Sequence, residues 1–190
     1  EDSTYIPQEL IEEFGGRIYI IPPYQHLFSY MKTLIKLFKT NKYSIVHSHI
    51  NSLSIFPLCA AQIAKVKIRI AHSHSSSGNN EFKRNIIKYI LRPFSKMFPN
   101  CFFACSNFAG RWLFGKKFMD SGKVIILNNA IDTSKFSYNK EIRKSIRKKE
   151  NLKGKFVVGH VGRFVNQKNH DFLIDIFYEI HKMDKNTELL

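Results

Sequence analysis

At 190 residues the chain has room for one complete domain, or one and part of a second. Apolar residues make up 44%, with only 9 Gly and 6 Pro, which excludes collagen-like, low-complexity and disordered classes. Lys and Arg number 30 against 15 Asp and Glu, and the net +15 favours anionic partners: nucleic acid, phosphorylated substrates or an acidic membrane surface.

Short β-branched or aromatic runs alternate with stretches of helical period. The pattern predicts a strand over 17–21, stopped by Pro22-Pro23, then a helix over 27–40 with Leu27, Met31, Leu34, Ile35 and Phe38 on one face. A strand over 45–48 precedes a helix over 52–64, and another strand spans 67–71. A polar loop over 72–80 follows, then a helix over 81–98 bent near Pro93. Residues 101–104 read as a strand, and Ser106 caps a helix running to Phe114. Residues 124–127 form a strand, 128–136 a loop and 139–149 a charged helix. A strand over 156–161, a helix from Asn169 to His181 and the start of a strand at Leu189-Leu190 complete the chain. Strands separated by helices predict an α/β fold, a parallel sheet with helices on both faces and ligands at the carboxyl ends of the strands.

No apolar run approaches the roughly 20 residues that a spanning helix needs, and the best candidate, 53–61, contains Pro57. No signal peptide is evident, and the opening Glu1-Asp2-Ser3-Thr4 without Met reads as a cut. Three cysteines, Cys59, Cys101 and Cys105, make no disulfide framework and no zinc pattern, so the compartment reads as reducing.

Two predicted strands lead into the same tripeptide, His47-Ser48-His49 and His72-Ser73-His74. Residues two apart in extended backbone point the same way, so each pair presents two imidazoles together. Four imidazoles suit a metal ion; they equally suit a hydrogen-bonded cleft lining or a substrate-orienting role. No neighbouring carboxylate or Cys completes a metal pattern, and the expectation is no metal.

A second strand end reads Gly159-His160-Val161-Gly162-Arg163, with Lys168 just before the helix at Asn169. Gly162 permits close backbone approach, Arg163 offers a planar fork, Lys168 a point charge, and the helix start free amides. That set suits a diphosphate, although it lacks P-loop spacing and a solvated polar loop reads the same way. Positive charge concentrates in 31–42, 81–98 and 139–155, which carry +4, +4 and +6. The basic and apolar stripes of 81–98 suit either an anionic membrane surface or a solvated helix face. Nucleic-acid binding has no accompanying recognition signature.

The segments Val46-His47-Ser48-His49, Arg69-Ile70-Ala71-His72-Ser73-His74, Phe103-Ala104-Cys105-Ser106, Asn129-Ala130-Ile131-Asp132 and Gly159-His160-Val161-Gly162-Arg163 occur in this order. Together they resemble glycosyltransferase family 4, the retaining GT-B enzymes, and especially bacterial members that build capsular or exopolysaccharide. The resemblance implies a Rossmann-like parallel-sheet acceptor domain over 1–127, a hinge over 128–139 bearing Asn129 and Asp132, and the beginning of a nucleotide-sugar-binding Rossmann-like domain over 140–190. It implies that Gly162, Arg163 and Lys168 contact the donor diphosphate. His74, with His72 as its alternative, lies near the transferred sugar. The substrates implied are a UDP- or GDP-linked sugar and a lipid-linked or oligosaccharide acceptor, with no cofactor, no metal and no nucleic acid. The implied location is cytoplasmic, peripheral on the inner membrane face. Such enzymes are about twice this length, so the expectation is a fragment that is inactive alone. A non-catalytic nucleotide- or sugar-binding module and a basic nucleic-acid-binding protein stand as the rival readings.

Overall fold

The computed structural model describes residues 7–74 and 82–190, and the chain divides into two compact units, one ending at Asn128 and the other running from Asn129 to Leu190. Most of the polar loop predicted over 72–80, the first residue of the predicted helix at Glu81, and Glu1 to Thr4 lie outside the described residues.

The first unit holds helices α1 (Gln8–Glu13), α2 (Leu27–Asn41), α3 (Ile55–Ile63), α4 (Phe82–Leu91), α5 (Asn107–Phe114) and α6 (Lys116–Asp120). Its strands are β1 (Ile45–Ser48), β2 (Ile68–Ser73), β3 (Cys101–Ala104) and β4 (Val124–Ile126). They form one parallel sheet in the order β1-β2-β3-β4, with Val46 opposite Arg69, Ala71 opposite Phe102, and Phe102 opposite Val124.

Sequential order has a consequence for the helices. Right-handed crossovers between consecutive neighbours send every connection over the same face of the sheet. Accordingly Ala71, Ala104 and Val124 are buried against Leu58 of α3 and Leu113 and Phe114 of α5. On the opposite face Ile45, Ile68 and Ile125 are exposed, while Ile70 and His72 are buried. The helices α3 and α5 thus share one face of the sheet, because the strand order never reverses. A second cluster joins Tyr30, Leu34 and Phe38, one face of α2, to Ala60, Ala61 and Val66.

Local signals set most boundaries. Ser106 Oγ accepts from Ala109 N at 3.2 Å and starts α5, a cap worth about 1 kcal/mol. Pro93 lies in a 3₁₀ turn, Arg92–Lys96, so the helix expected over 81–98 gives way at Leu91 to that turn. Arg69 ties the strand ends together: its Nε donates to Phe98 O at 2.7 Å and its Nη1 to Val66 O at 2.8 Å. No disulfide is present; all three cysteines are free.

Four expectations change. Residues 17–21 belong to no strand, because β propensity without a neighbouring strand gives no ladder, and Pro22-Pro23 supply no N–H. β2 runs on to Ser73 rather than stopping at Ala71, since Ser73 pairs with Ala104. The short helices α1 and α6 had no sequence signal strong enough to predict them. The strand predicted over 156–161 ends at Val158.

That last strand belongs to the second unit, which comprises α7 (Lys140–Lys149), β5 (Phe156–Val158), α8 (His170–Met183) and β6 (Thr187–Leu189). β5 and β6 are parallel, with Val157 opposite Glu188, so β5-α8-β6 is one crossover unit. Just past the two strands, Val158 O accepts from Leu190 N at 2.9 Å and Leu190 O accepts from His160 N at 2.8 Å. Asn139 Oδ1 caps α7 through Glu141 N and Ile142 N at 2.9 and 3.0 Å. Arg147 Nη2 donates to the carbonyls of Leu152 and Lys155 and pins the loop after α7. Among the described residues of this unit, Leu152 is the one buried apolar side chain.

Candidate functional site

At the carboxyl ends of β1 and β2 four imidazoles form a ladder. Alternation puts His47 and His49 on one face of β1, and the parallel register puts His72 and His74 beside them. Ring centroids lie 4.0 Å apart within each pair, and 5.2 Å (His47–His72) and 5.0 Å (His49–His74) across the strands. His47 Nε2 is 3.1 Å from His72 Nδ1, and His49 Nδ1 is 2.7 Å from His74 Nε2. One ring of each pair donates and the other accepts, so each contact is satisfied by neutral imidazoles.

Surrounding groups fix the ladder. Phe103 presents its ring edge-to-face to both His47 and His72. His74 N donates to Asn51 Oδ1 at 3.0 Å, and Cys105 Sγ donates to His74 O at 3.3 Å. On the other face of the same strands, Ser48 Oγ bonds Ser54 Oγ and Ser73 Oγ bonds Ala109 O, both at 2.9 Å. These buried hydroxyls hold the ends of β1 and β2 against the turn after β1 and against α5.

Burial and mutual repulsion disfavour protonation of His72, His47 and His49. His72 is 4% exposed, and burial, then His74, His49 and His47, pull its pKa down to about 4. Desolvation and the neighbouring imidazoles lower His47 and His49 as well. Neutral imidazoles accept protons, hydrogen bonds and metal ions. Among the described residues, His47, His49 and His72 form the one group of three potential metal ligands, their ligand atoms all within 4.8 Å of one another.

The second unit builds a different site after β5. A Cβ at position 162 would stand 2.9 Å from His160 Nε2 and 3.3 Å from Lys168 Cγ and Cδ. Gly162 is thus what lets the Lys168 stem lie against the backbone. The Lys168 and Arg163 side chains are exposed, and Asn169, at φ 47°, opens α8 with no side-chain cap on its first amides. A cavity of about 400 Å³ beside this helix start is lined by Phe164, Val165, Asn166, Asn169, His170 and Asp171. The arrangement offers two cations and uncapped amides to an anion.

Of the residues singled out from sequence, the structure brings His72 and His74 together with His47 and His49, and Gly162 together with Lys168. Asp132 is engaged locally: its Oδ1 accepts from Ser134 N at 3.1 Å and from Ser134 Oγ at 2.6 Å, capping the turn Thr133–Phe136. Asn129 is exposed. His160 and His170 carried no assigned role in the sequence. His170 stacks on Phe164 at 4.6 Å, and His160 Nε2 is buried without a hydrogen-bond partner. Their signal was position alone, after a strand and at a helix start.

The chain is similar to CapH of Staphylococcus aureus, a capsular polysaccharide biosynthesis glycosyltransferase: 32% identity over 165 residues, covering 85% of this chain and 43% of CapH. It is 29% identical over 174 residues to EpsF of Bacillus subtilis (strain 168), covering 88% of this chain and 45% of EpsF. The chain thus spans less than half the length of these curated relatives. In fold it resembles Anabaena HepE, solved with UDP and glucose, at TM-score 0.72 and 15% identity over 95% of this chain and 49% of HepE. The complex of HepE with UDP-glucose gives TM-score 0.69 over 96% of this chain and 57% of that one. This likeness bears out the α/β, GT-B type of fold expected from sequence. The sequence profile of Glycosyltransferase Family 4 matches residues 3–135, about seven-tenths of the chain, and the chain therefore belongs to Glycosyltransferase Family 4.

Proposed function

We propose that the intact gene product transfers a sugar from a UDP- or GDP-linked donor to a lipid-linked or oligosaccharide acceptor in bacterial surface polysaccharide synthesis. The observation that carries this reading is the strand-end site of the second unit: Gly162 admitting Lys168, with Arg163 and the uncapped start of α8 beside it. A departing nucleotide diphosphate gathers negative charge, and fixed cations aimed at it lower the barrier. The descriptions of CapH and EpsF as glycosyltransferases, and the UDP bound to HepE, support the reading.

In this reading the first unit serves the acceptor and the second the donor, across a hinge at 128–139, and transfer retains the anomeric configuration. His74, or His72 in its place, orients the reacting sugar. The exposed apolar and basic residues of the stretch from α4 onward, such as Ile90, Phe94, Met97 and Lys96, suit peripheral attachment to an anionic membrane surface. No helix among the described residues is long and apolar enough to cross a membrane. The 190-residue chain on its own is expected to show no sugar transfer; measurable transfer by it removes that expectation.

The test is a thermal-shift series on the intact gene product with UDP, GDP and their sugar conjugates, and a DNA oligomer as control. Stabilisation by one nucleotide family and none by DNA is the expected result. A shift with DNA alone overturns the transferase reading in favour of a charge-driven nucleic-acid binder, whose affinity would fall steeply with salt.

A further inference from the structure

A second concentration of positive charge lies in the second unit, away from the strand-end site. Steps of three and four residues put Lys140, Arg143, Lys144, Arg147 and Lys148 on one face of α7. With Lys153 they line a cavity of about 710 Å³, and none of the nine residues lining it is acidic. A helix face that is merely solvated gains from mixed signs, because like charges at i and i+4 weaken a helix. Here Lys140 and Lys144, Arg143 and Arg147, and Lys144 and Lys148 all repel at that spacing. The helix dipole favours cations in the last turn, yet Lys140, Arg143 and Lys144 stand in the first half of α7. The ion pairs shown nearby, Lys149 with Glu150 and Lys155 with Glu188, leave the cavity cations out.

The cavity has a fixed wall. Arg147 Nη2 donates to the carbonyls of Leu152 and Lys155, and Leu152 N donates back to Arg147 O at 2.8 Å. Leu152 is buried, and Asn186 Nδ2 holds the loop by donating to Gly154 O at 2.7 Å. Asn151 and Gly154, at φ 56° and 75°, turn the chain so that Lys153 joins the helix cations at the cavity. Cations held around a concave surface bind a multivalent anion at less entropic cost than mobile ones.

We propose that this cavity binds a multivalent phosphate anion, free in solution or carried on a lipid headgroup. Phosphate oxygens accept charge-assisted hydrogen bonds from guanidinium and ammonium groups, and Tyr138 and Asn151 add neutral donors to the lining. From Lys140 to Lys148 the cations extend over roughly 12 Å, at 1.5 Å per residue, which suits more than one phosphate. The bound anion would also relieve the repulsion built into α7. Lys153 and Gly154 precede β5, whereas Gly162, Arg163 and Lys168 follow it, so the two anion sites lie at opposite ends of that strand. The inference does not rest on the transferase reading.

The test titrates tripolyphosphate into the intact gene product by calorimetry, on a Lys168→Ala background that removes the other anion site. One equivalent bound is the expected result. Adding Lys140→Gln, Lys144→Gln and Lys148→Gln is expected to weaken binding at least about 10-fold. The charge-matched set Lys32→Gln, Lys36→Gln and Lys39→Gln on α2 should change it by less than about twofold. Circular dichroism checks the fold, and Lys144→Gln alone serves if the α7 triple variant does not fold. No binding, or equal loss in the two triple variants, overturns the proposal, the latter because net charge alone then attracts the anion. Vesicles of phosphatidylglycerol in phosphatidylcholine identify the source. Sedimentation with them that tripolyphosphate reverses and the α7 variant lacks assigns the anion to a headgroup; indifference to them assigns it to solution. Nucleotide thermal shifts on the α7 variant with Lys168 intact report the donor reading separately, so the two fail independently.

Discussion

Lys168→Ala in the intact gene product is expected to lower sugar-transfer turnover by about 100- to 1,000-fold, the range for removing one preorganised charge-stabilising group. The Lys168 stem rests against Gly162, and its ammonium group is exposed rather than engaged in an ion pair among those the structure shows. Its energy is therefore available to a ligand. Because little is buried there, the melting temperature should stay within the small range of surface substitutions. Lys168→Arg should recover part of the rate, since it restores the charge with a different reach. Turnover measured at saturating donor separates this from weaker binding. Unchanged turnover in Lys168→Ala removes the residue from the site.

Phe114→Ala is expected to destabilise the first unit by about 3–5 kcal/mol. Phe114 is 2% exposed, at the end of α5, and meets Phe102 edge-on at 5.4 Å and Phe118 at 6.1 Å. Leu58, Ala104 and Leu113 belong to the same cluster. Truncation removes the ring that α5 lays against the sheet, and the small neighbours Ala71 and Ala104 cannot swell to fill the space. Trp112, the single tryptophan, lies beside this cluster and reports its unfolding by fluorescence. Phe172→Ala, at a 58% exposed position, is the control and should change stability by no more than about 0.5 kcal/mol. Equal denaturation midpoints for Phe114→Ala and the parent chain would contradict this account of the core.

Much of the fold was legible because its signals are local. The capped start of α5 at Ser106 and the period of α2 read directly from the chain. The run 17–21 misled for the opposite reason: strand propensity is realised only when another strand stands alongside, and that is a tertiary fact. The shared face of α3 and α5 follows from strand order, which no local signal encodes. In the candidate site, position after a strand picked out His72, His74, Gly162, Arg163 and Lys168. The partnership of His47 and His49 with His72 depends on register between strands 25 residues apart in the chain, beyond what either tripeptide shows. Asp132 illustrates the reverse case, a residue whose carboxylate is taken up by its own turn.

The contrast in burial between the two units has a consequence for how the chain comes apart. The first unit buries two apolar clusters, while Leu152 is the lone buried apolar side chain described in the second. Cooperativity grows with buried apolar contact, so segments with little of it open at low free energy while the rest stays closed. The 190-residue chain should thus lose β5, α8 and β6 by sub-global opening well before its four-stranded sheet melts. A single melting temperature would then describe only the first unit, and the strand ends of the second would spend a measurable fraction of time unformed unless something bound them closed.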